Sequence, residues 1–253
     1  MKFSIVIPSY NQGRFLKQAI DSVLVQSGVE KEIIVIDGGS TDETIDVLAS
    51  YGEKVKWISE KDKGQTDAIN KGLKKATGDI IAYLNSDDYY LQGCFEIVAK
   101  AFENNPKTMW LTGDGIIVDE NGKVIQKFIS LYKKFLREQP FFSMIYITNF
   151  IIQPSTFWRR KILEEIGFFD ETKTYTMDYD YWLRIIKYGY KPLILSEKLS
   201  AFRIHKASKG GSKYLLQFSE DYRTLKANCK NPFFRFFHWL HNKLIVLIYF
   251  FVK

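Results

Sequence analysis

The feature that most constrains this chain is an alternation of short apolar runs with amphipathic segments through its amino-terminal third. Phe3–Ile7, Glu32–Asp37, Val55–Ser59 and Ile80–Leu84 are brief and rich in β-branched or aromatic residues, the pattern of buried strands. Between the first two, Phe15, Leu16, Ala19, Ile20, Val23 and Leu24 recur at helical spacing. Ser40 or Thr41 can cap a second helix reaching about Tyr51, and a third runs from Thr66 to Ala76. Strands separated by helices and short loops call for a mainly parallel α/β sheet with flanking helices. Such sheets bind ligands in the crevice beyond the carboxyl ends of their strands. Asp37 closes the second strand and Asp87 follows the fourth, so both are expected at one crevice. Neither a GxGxxG fingerprint nor a Walker loop is present, which argues against dinucleotide and P-loop chemistry.

The fourth strand stops at Asn85-Ser-Asp-Asp88. Adjacent carboxylates repel each other unless a cation lies beside them, and hard oxygen donors suit Mg²⁺ or Mn²⁺ holding a diphosphate. A solvated turn that caps the next helix is the alternative. Farther on, Met109–Thr112 reads as a strand, and Gly115–Asp119 with Lys123–Phe128 as a hairpin about the Asp119-Glu-Asn-Gly122 turn. Residues 130–150 are aromatic and basic and match no template. Ser155–Trp158 reads as a strand, Lys161–Ile166 as a short helix, Asp178–Tyr188 as a helix and Pro192–Arg203 as extended chain.

Charge divides the 253 residues unevenly. Residues 1–126 sum to −5 and residues 127–253 to +12. A basic half suits anionic partners. With no recognition helix, stacking motif or zinc spacing, nucleic acid is not expected. Cys94 and Cys229 form no metal spacing and fit a reducing cytosol, and the amino terminus enters a strand without a leader. After about Tyr214 a polar helix leads to an aromatic, basic tail with nine unbroken apolar residues, Leu244–Val252. A spanning helix needs about 20. An amphipathic helix lying in a membrane interface is expected, with packing on the chain's own core as the alternative.

Taken in order, Ser4–Asn11, Glu32–Asp42, Gly64–Gly72, Asn85–Asp88, Asp178–Arg184 and Phe202–His205 resemble glycosyltransferase family 2. These are inverting, sugar-nucleotide-dependent enzymes of GT-A fold, here of bacterial envelope or cell-surface glycan type. The likeness covers roughly residues 3–212. It implies a GT-A domain over 1–212, with a nucleotide-binding half (1–114) and an acceptor-binding half (115–212), before a helical segment (213–253) expected to associate with a membrane. The donor would be a nucleotide diphosphate sugar, UDP-sugar favoured, and the acceptor a glycan or lipid-linked saccharide. The setting would be cytoplasmic, peripheral on the inner face of the plasma membrane.

The resemblance also implies roles. Pro8, Tyr10, Asn11, Asp37 and Gly39 would hold the nucleoside, with Asp67 reaching the nucleotide or bracing its loop. Asn85-x-Asp87 stands at the family's Asp-x-Asp site. The Asn removes one charge, so coordination of Mn²⁺ or Mg²⁺ would fall to Asp87, with Asp88 and His205 as further metal ligands and Asn85 on the nucleotide side. Asp178 would be the catalytic base, although Met177 stands where the family has Glu. Trp182 and Arg184 would line the acceptor pocket, Arg184 pairing with Asp180 as its alternative. The Lys206–Lys213 loop would close as a lid. A non-catalytic sugar-nucleotide-binding protein of the same fold is the rival reading.

Overall fold

The computed structural model describes residues 1–139, 142–205 and 214–252. Eight strands follow the order β3-β2-β1-β4-β8-β6-β9-β5 in one sheet, and β7 pairs with β6. β1 (Lys2–Ser9), β2 (Glu30–Asp37), β3 (Lys56–Ser59) and β4 (Ile80–Tyr83) are mutually parallel, as the alternation predicts. Parallelism then breaks: β8 (Thr156–Arg159) runs against both β4 and β6 (Trp110–Val118). β9 (Leu193–Arg203) is parallel to β6, and β5 (Tyr89–Tyr90) is antiparallel to β9. The sheet is therefore mixed, and parallel mainly in its first half.

Helix α1 (Gly13–Leu24) buries Phe15, Leu16, Ala19, Ile20 and Val23, the residues that share its helical face. With α4 (Cys94–Asn104) it covers one side of β1, β2 and β4. α3 (Gln65–Leu73) lies on the other side, where a β-carbon at Gly72 would come within 2.3 Å of Val6 Cγ1. α2 (Thr44–Ala49) is shorter than expected, because Ser40 and Thr41 bond to neighbouring loops instead of capping it. The two strands expected on either side of Gly113 are one strand, β6, with register shifts about Asp114. A division at 114/115 thus falls inside a strand. β7 is only Val124–Ile125, and Lys127 already belongs to a helix.

That helix, α5 (Lys127–Arg137), occupies part of the segment that matched no template. α6 (Lys161–Ile166) and α7 (Met177–Lys187) agree with expectation. The second half of the core is built on stacked aromatics, with Trp110 and Trp182 at 5.4 Å and Phe169 and Tyr181 at 4.1 Å. The tail forms α8 (Tyr214–Asn228) and α9 (Pro232–Val252). One face of α9 packs on the protein: His238 is fully buried, 2.7 Å from Asp221, and stacks on Tyr179 and Tyr222. Phe236, Phe237, Leu244 and Leu247 remain exposed on its other face. Among the described residues no helix is long and apolar enough to cross a membrane.

Candidate active site

The loop after β1 is fastened to the loop after β2. Asn11, with φ of 50°, donates its amide to Ser40 Oγ at 2.7 Å and accepts from the Thr41 amide at 2.8 Å. A non-glycine residue in the left-handed region needs such local bonds, and Asn tolerates it better than most. Tyr10 between them is 61% exposed, so its ring is open to a stacking partner. Pro8 is buried in register with Ile36, and Gly39 takes a left-handed φ of 83° that shapes the loop.

Asp37 corrects the expectation of a direct nucleoside contact. It is fully buried, and its carboxylate accepts hydrogen bonds from the Gly39 amide, the Ser40 amide and hydroxyl, and Ser59 Oγ at 2.6 Å. With both oxygens committed, it rigidifies the loop that carries Ser40. Asp67 accepts the Lys63 amide at 3.0 Å and pairs with Lys71, bracing the turn before α3. Those bonds, the Lys63 amide foremost, hold its pKa below the ordinary carboxylate value. Asn70, its neighbour one turn on, bonds both ways to Phe169 and serves the core.

The Asn85–Asp88 loop sorts its side chains sharply. Asn85 accepts from Gln65 Nε2 at 2.6 Å and donates to Asp88 and Gln153. Asp87 lies 3.0 Å from His205 Nε2, with one-fifth of its side chain exposed. Asp88 corrects its expected role as a metal ligand. It is 1% exposed, and its two oxygens accept the Arg203 amide and Asn85 Nδ2. Burial, with Asp87 alongside, pushes its pKa well above the ordinary value. It locks the loop to β9 and offers no oxygen to a cleft.

Arg203 was not singled out by the sequence, yet it ties this side of the site together. Its guanidinium donates to the backbone oxygens of Asp87, Asp119 and Glu120 and to Gln18 Oε1, and lies over Phe15. The signal was its spacing: in extended chain, residues 203 and 205 share a face, so Arg203 belongs beside His205. An implied divalent ion can be tested against this donor set. Mg²⁺ and Mn²⁺ are held by one or two protein groups plus substrate phosphates. Asp87 and His205 make such a pair, and among the described residues no cluster of three potential protein ligands exists. The residues fit an ion completed by the donor's phosphates.

The first turn of α3 joins this region to the start of α7. Gln65 holds Asn85, and Thr66 Oγ1 contacts Met177 Sδ at 2.8 Å, next to Asp178. Tyr83, at the end of β4, carries a phenol whose pKa is driven well up by burial and by the charges of Asp178 and Asp88. Asp178 is partly buried at the start of α7, its carboxylate on the Tyr179 amide at 2.7 Å. Burial raises its pKa to about 6 against the Tyr179 amide and Lys133, which favour the charged form; Asp221 adds to the rise. Glu220 of α8 supports the segment before it, one oxygen accepting the amides of Thr174, Tyr175 and Thr176.

One acceptor-side expectation is overturned, and for Arg184 the alternative of pairing with Asp180 is the one observed. Trp182 has no exposed surface and stacks within the aromatic core, so it cannot border a pocket. Arg184 pairs with Asp180 at 2.8 Å and donates to the Ile166 and Phe168 carbonyls, stapling α7 to the end of α6. The Lys206–Lys213 loop lies outside the described residues.

Comparison with known proteins gives the family and the fold. The family model described as Glycosyl transferase family 2 matches residues 4–167. An uncharacterized glycosyltransferase of Methanocaldococcus jannaschii is 31% identical over 234 residues, covering 90% of this chain and 79% of that protein. One of Rickettsia prowazekii is 32% identical over 191 residues, covering 73% of this chain. That match takes in only 58% of the Rickettsia protein. Among solved structures, S. aureus TarS 1–349 in complex with UDP-GlcNAc superposes with a TM-score of 0.69 at 20% identity, covering 92% of this chain and 68% of that one. The mannosyltransferase PcManGT of Pyrobaculum calidifontis, in complex with GDP-Man and Mn2+, gives 0.69 at 16% identity, with coverages of 95% and 68%. At these identities the structural likenesses speak to the fold.

Proposed function

This chain belongs to glycosyltransferase family 2, and on that premise we propose that it transfers a sugar from a nucleotide diphosphate donor, UDP-sugar favoured, to a hydroxyl with inversion. The observation that carries the reading is the bridge made by α3. Its first two residues touch Asn85, two positions from Asp87, and Met177, next to Asp178, which supports a site shared by the two carboxylates.

In that arrangement Tyr10 stacks on the base, a contact worth about 1–3 kcal/mol, while the fastened Asn11–Ser40 loops keep its backbone fixed. Asp87 and His205 would hold Mn²⁺ or Mg²⁺, which when bound neutralises the diphosphate and so stabilises it as a leaving group. The acceptor oxygen attacks the anomeric carbon as the bond from that carbon to the phosphate oxygen breaks. Asp178 takes the hydroxyl proton, and the nucleoside diphosphate leaves on the opposite face. Its carboxyl, raised to about 6, is mostly ionised at pH 7 yet more basic than an ordinary aspartate. A glycan or lipid-linked saccharide acceptor, in an envelope or polysaccharide pathway, is supported by the basic carboxyl-terminal half and the aromatic outer face of α9. These features also favour a peripheral position on the inner face of the plasma membrane.

The test is a thermal-shift panel of nucleotide sugars with and without Mn²⁺, followed by turnover of the stabilising donor. A ligand that binds only the folded state raises the melting temperature by mass action. One donor should stand out, with a gain that needs the ion and is lost in Asp87→Ala. Stabilisation by no nucleotide sugar, or unchanged turnover in Asp178→Asn, would refute the proposal.

A further inference from the structure

Helix α5 is amphipathic in the wrong sense for a helix packed on a core. Phe128, Leu131 and Phe135 fall at helical spacing on one face and are 82%, 63% and 59% exposed. The opposite face turns inward. Arg137 is buried against Asp114 and the Phe150 carbonyl, and Leu136 beside it packs in the core cluster that holds Met177 and Tyr179. A helix that buries only Leu136 and Arg137 and leaves Phe128, Leu131 and Phe135 outside has an apolar stripe that its own core does not use.

The stripe does not stand alone. Tyr132 of α5 hydrogen-bonds His241 of α9 at 2.9 Å, and their rings stack with centroids 6.3 Å apart. On α9, Phe237 lies one turn before His241 and Leu244 one turn after it, and both are exposed. The Tyr132–His241 contact therefore seams two apolar faces into one surface. Neither α5 nor α9 contains a single Asp or Glu, whereas Lys127, Lys134 and Lys243 are spread along them, Lys134 lying 3.6 Å from Glu138 just past α5. Two copies of so basic a face would repel each other, but an anionic sheet of headgroups complements it.

We propose that α5 and α9 together form one lipid-facing surface, seating the protein on an anionic bilayer with Asp178 on the inner side of the docked helix α5. The proposal deepens the reading of the acceptor as membrane-borne and rests on it. Docking through α9 alone would leave the site's orientation to the tail. Adding α5 fixes it, because the helix that meets the headgroups is the one whose inner residue Leu136 packs in one core cluster with Met177 and Tyr179, the neighbours of Asp178. A lipid-linked hydroxyl would then approach from the side on which Asp178 waits.

The test compares the full chain with Phe128→Ser/Leu131→Ser/Phe135→Ser in flotation with phosphatidylcholine vesicles, with and without one-third phosphatidylglycerol. Salt is varied, and donor binding is measured without vesicles. The expected result is wild-type binding to the anionic vesicles only, weakened by salt, and at least a tenfold loss in the variant, whose donor-induced thermal shift is unchanged. A charge-reversed Lys127→Glu/Lys134→Glu chain, with the stripe intact, should lose the preference for anionic vesicles. Equal partitioning of wild type and stripe variant overturns the proposal. So does a wild-type dimer in sedimentation velocity that the stripe variant abolishes, since a second copy would then cover the face. Donor binding that survives while vesicle binding fails leaves the glycosyl-transfer reading standing; loss of donor binding in the wild type itself would sink that reading instead.

Discussion

Replacing Asp178 with Asn should make the protein more stable at neutral pH while removing its activity. Folding raises the Asp178 pKa from 3.8 to about 6, so the native state holds that proton more tightly than the unfolded chain. The group's contribution is then fully favourable below the ordinary value near 3.8 and is lost as pH rises through about 6. At pH 7 the shift of about two pH units, at ~1.4 kcal/mol each, gives a ceiling of ~3 kcal/mol. Partial exposure of the side chain lowers the realistic figure to about 1–2 kcal/mol. An amide cannot ionise, so Asp178→Asn escapes this cost, while transfer falls by about 10²–10⁴-fold for want of a base. Urea unfolding of both chains at pH 7, 5.5 and 4 reads the difference directly. The advantage of the variant should shrink as pH falls and vanish near 4. A variant less stable at pH 7, or a difference independent of pH, would show that the carboxylate is a structural cap of α7 and not a strained catalytic group.

Wild-type turnover should in the same way rise tenfold per pH unit below about 6 and level off above it, measured with saturating ion to keep that site constant. Glu32 behaves oppositely. Burial pushes its carboxyl up, but hydrogen bonds from Ser4, Lys56 and Thr77 outweigh that and bring it down to about 2. Its stabilisation is present above the ordinary value of 4.5 and disappears as pH falls toward 2. Glu32→Gln should therefore cost about 2–3 kcal/mol at pH 7 and little at pH 2.5 by denaturant titration. Gly72→Ala should destabilise by about 1–3 kcal/mol through its clash with Val6, and Val6→Ala in the same chain should recover part of the loss relative to the sum of the singles. Glu220→Ala, which frees three amides before α7, should lower kcat more than donor affinity, a split that steady-state kinetics resolves.

Much of this was legible in the residues. β1, β2, β4 and α1 were readable because both faces of those strands are largely buried and α1 turns its apolar face inward, the cases hydrophobic periodicity detects, whereas β3 is mostly exposed and reads weakly. Glycines at 113 and 115 looked like strand boundaries, but they let β6 continue past Leu199 and Ser200, against which a β-carbon would come within about 3 Å. α5 was not placed because its exposed positions carry Phe128, Leu131 and Phe135, so hydrophobicity there does not report burial. Asp37, Asp88 and Trp182 mark the limit at the site. Motif position put them near the chemistry, but only geometry shows that the two carboxylates are spent on their own loops and that the indole is enclosed. Arg203 and Glu220 went unremarked because each acts on backbone atoms, which leave no trace in residue type.

β5 follows the Asn85–Asp88 loop by one residue, yet it pairs with β9 at the far end of the sheet, and Asp88 bonds the amide of Arg203. A chain emerging from the ribosome can thus complete its first four parallel strands while the Asn85–Asp88 loop still lacks its anchor. That loop cannot settle until some 115 further residues have been synthesised. Nascent chains halted before residue 193 would be expected to grip the nucleoside portion of a donor long before they could engage its phosphates.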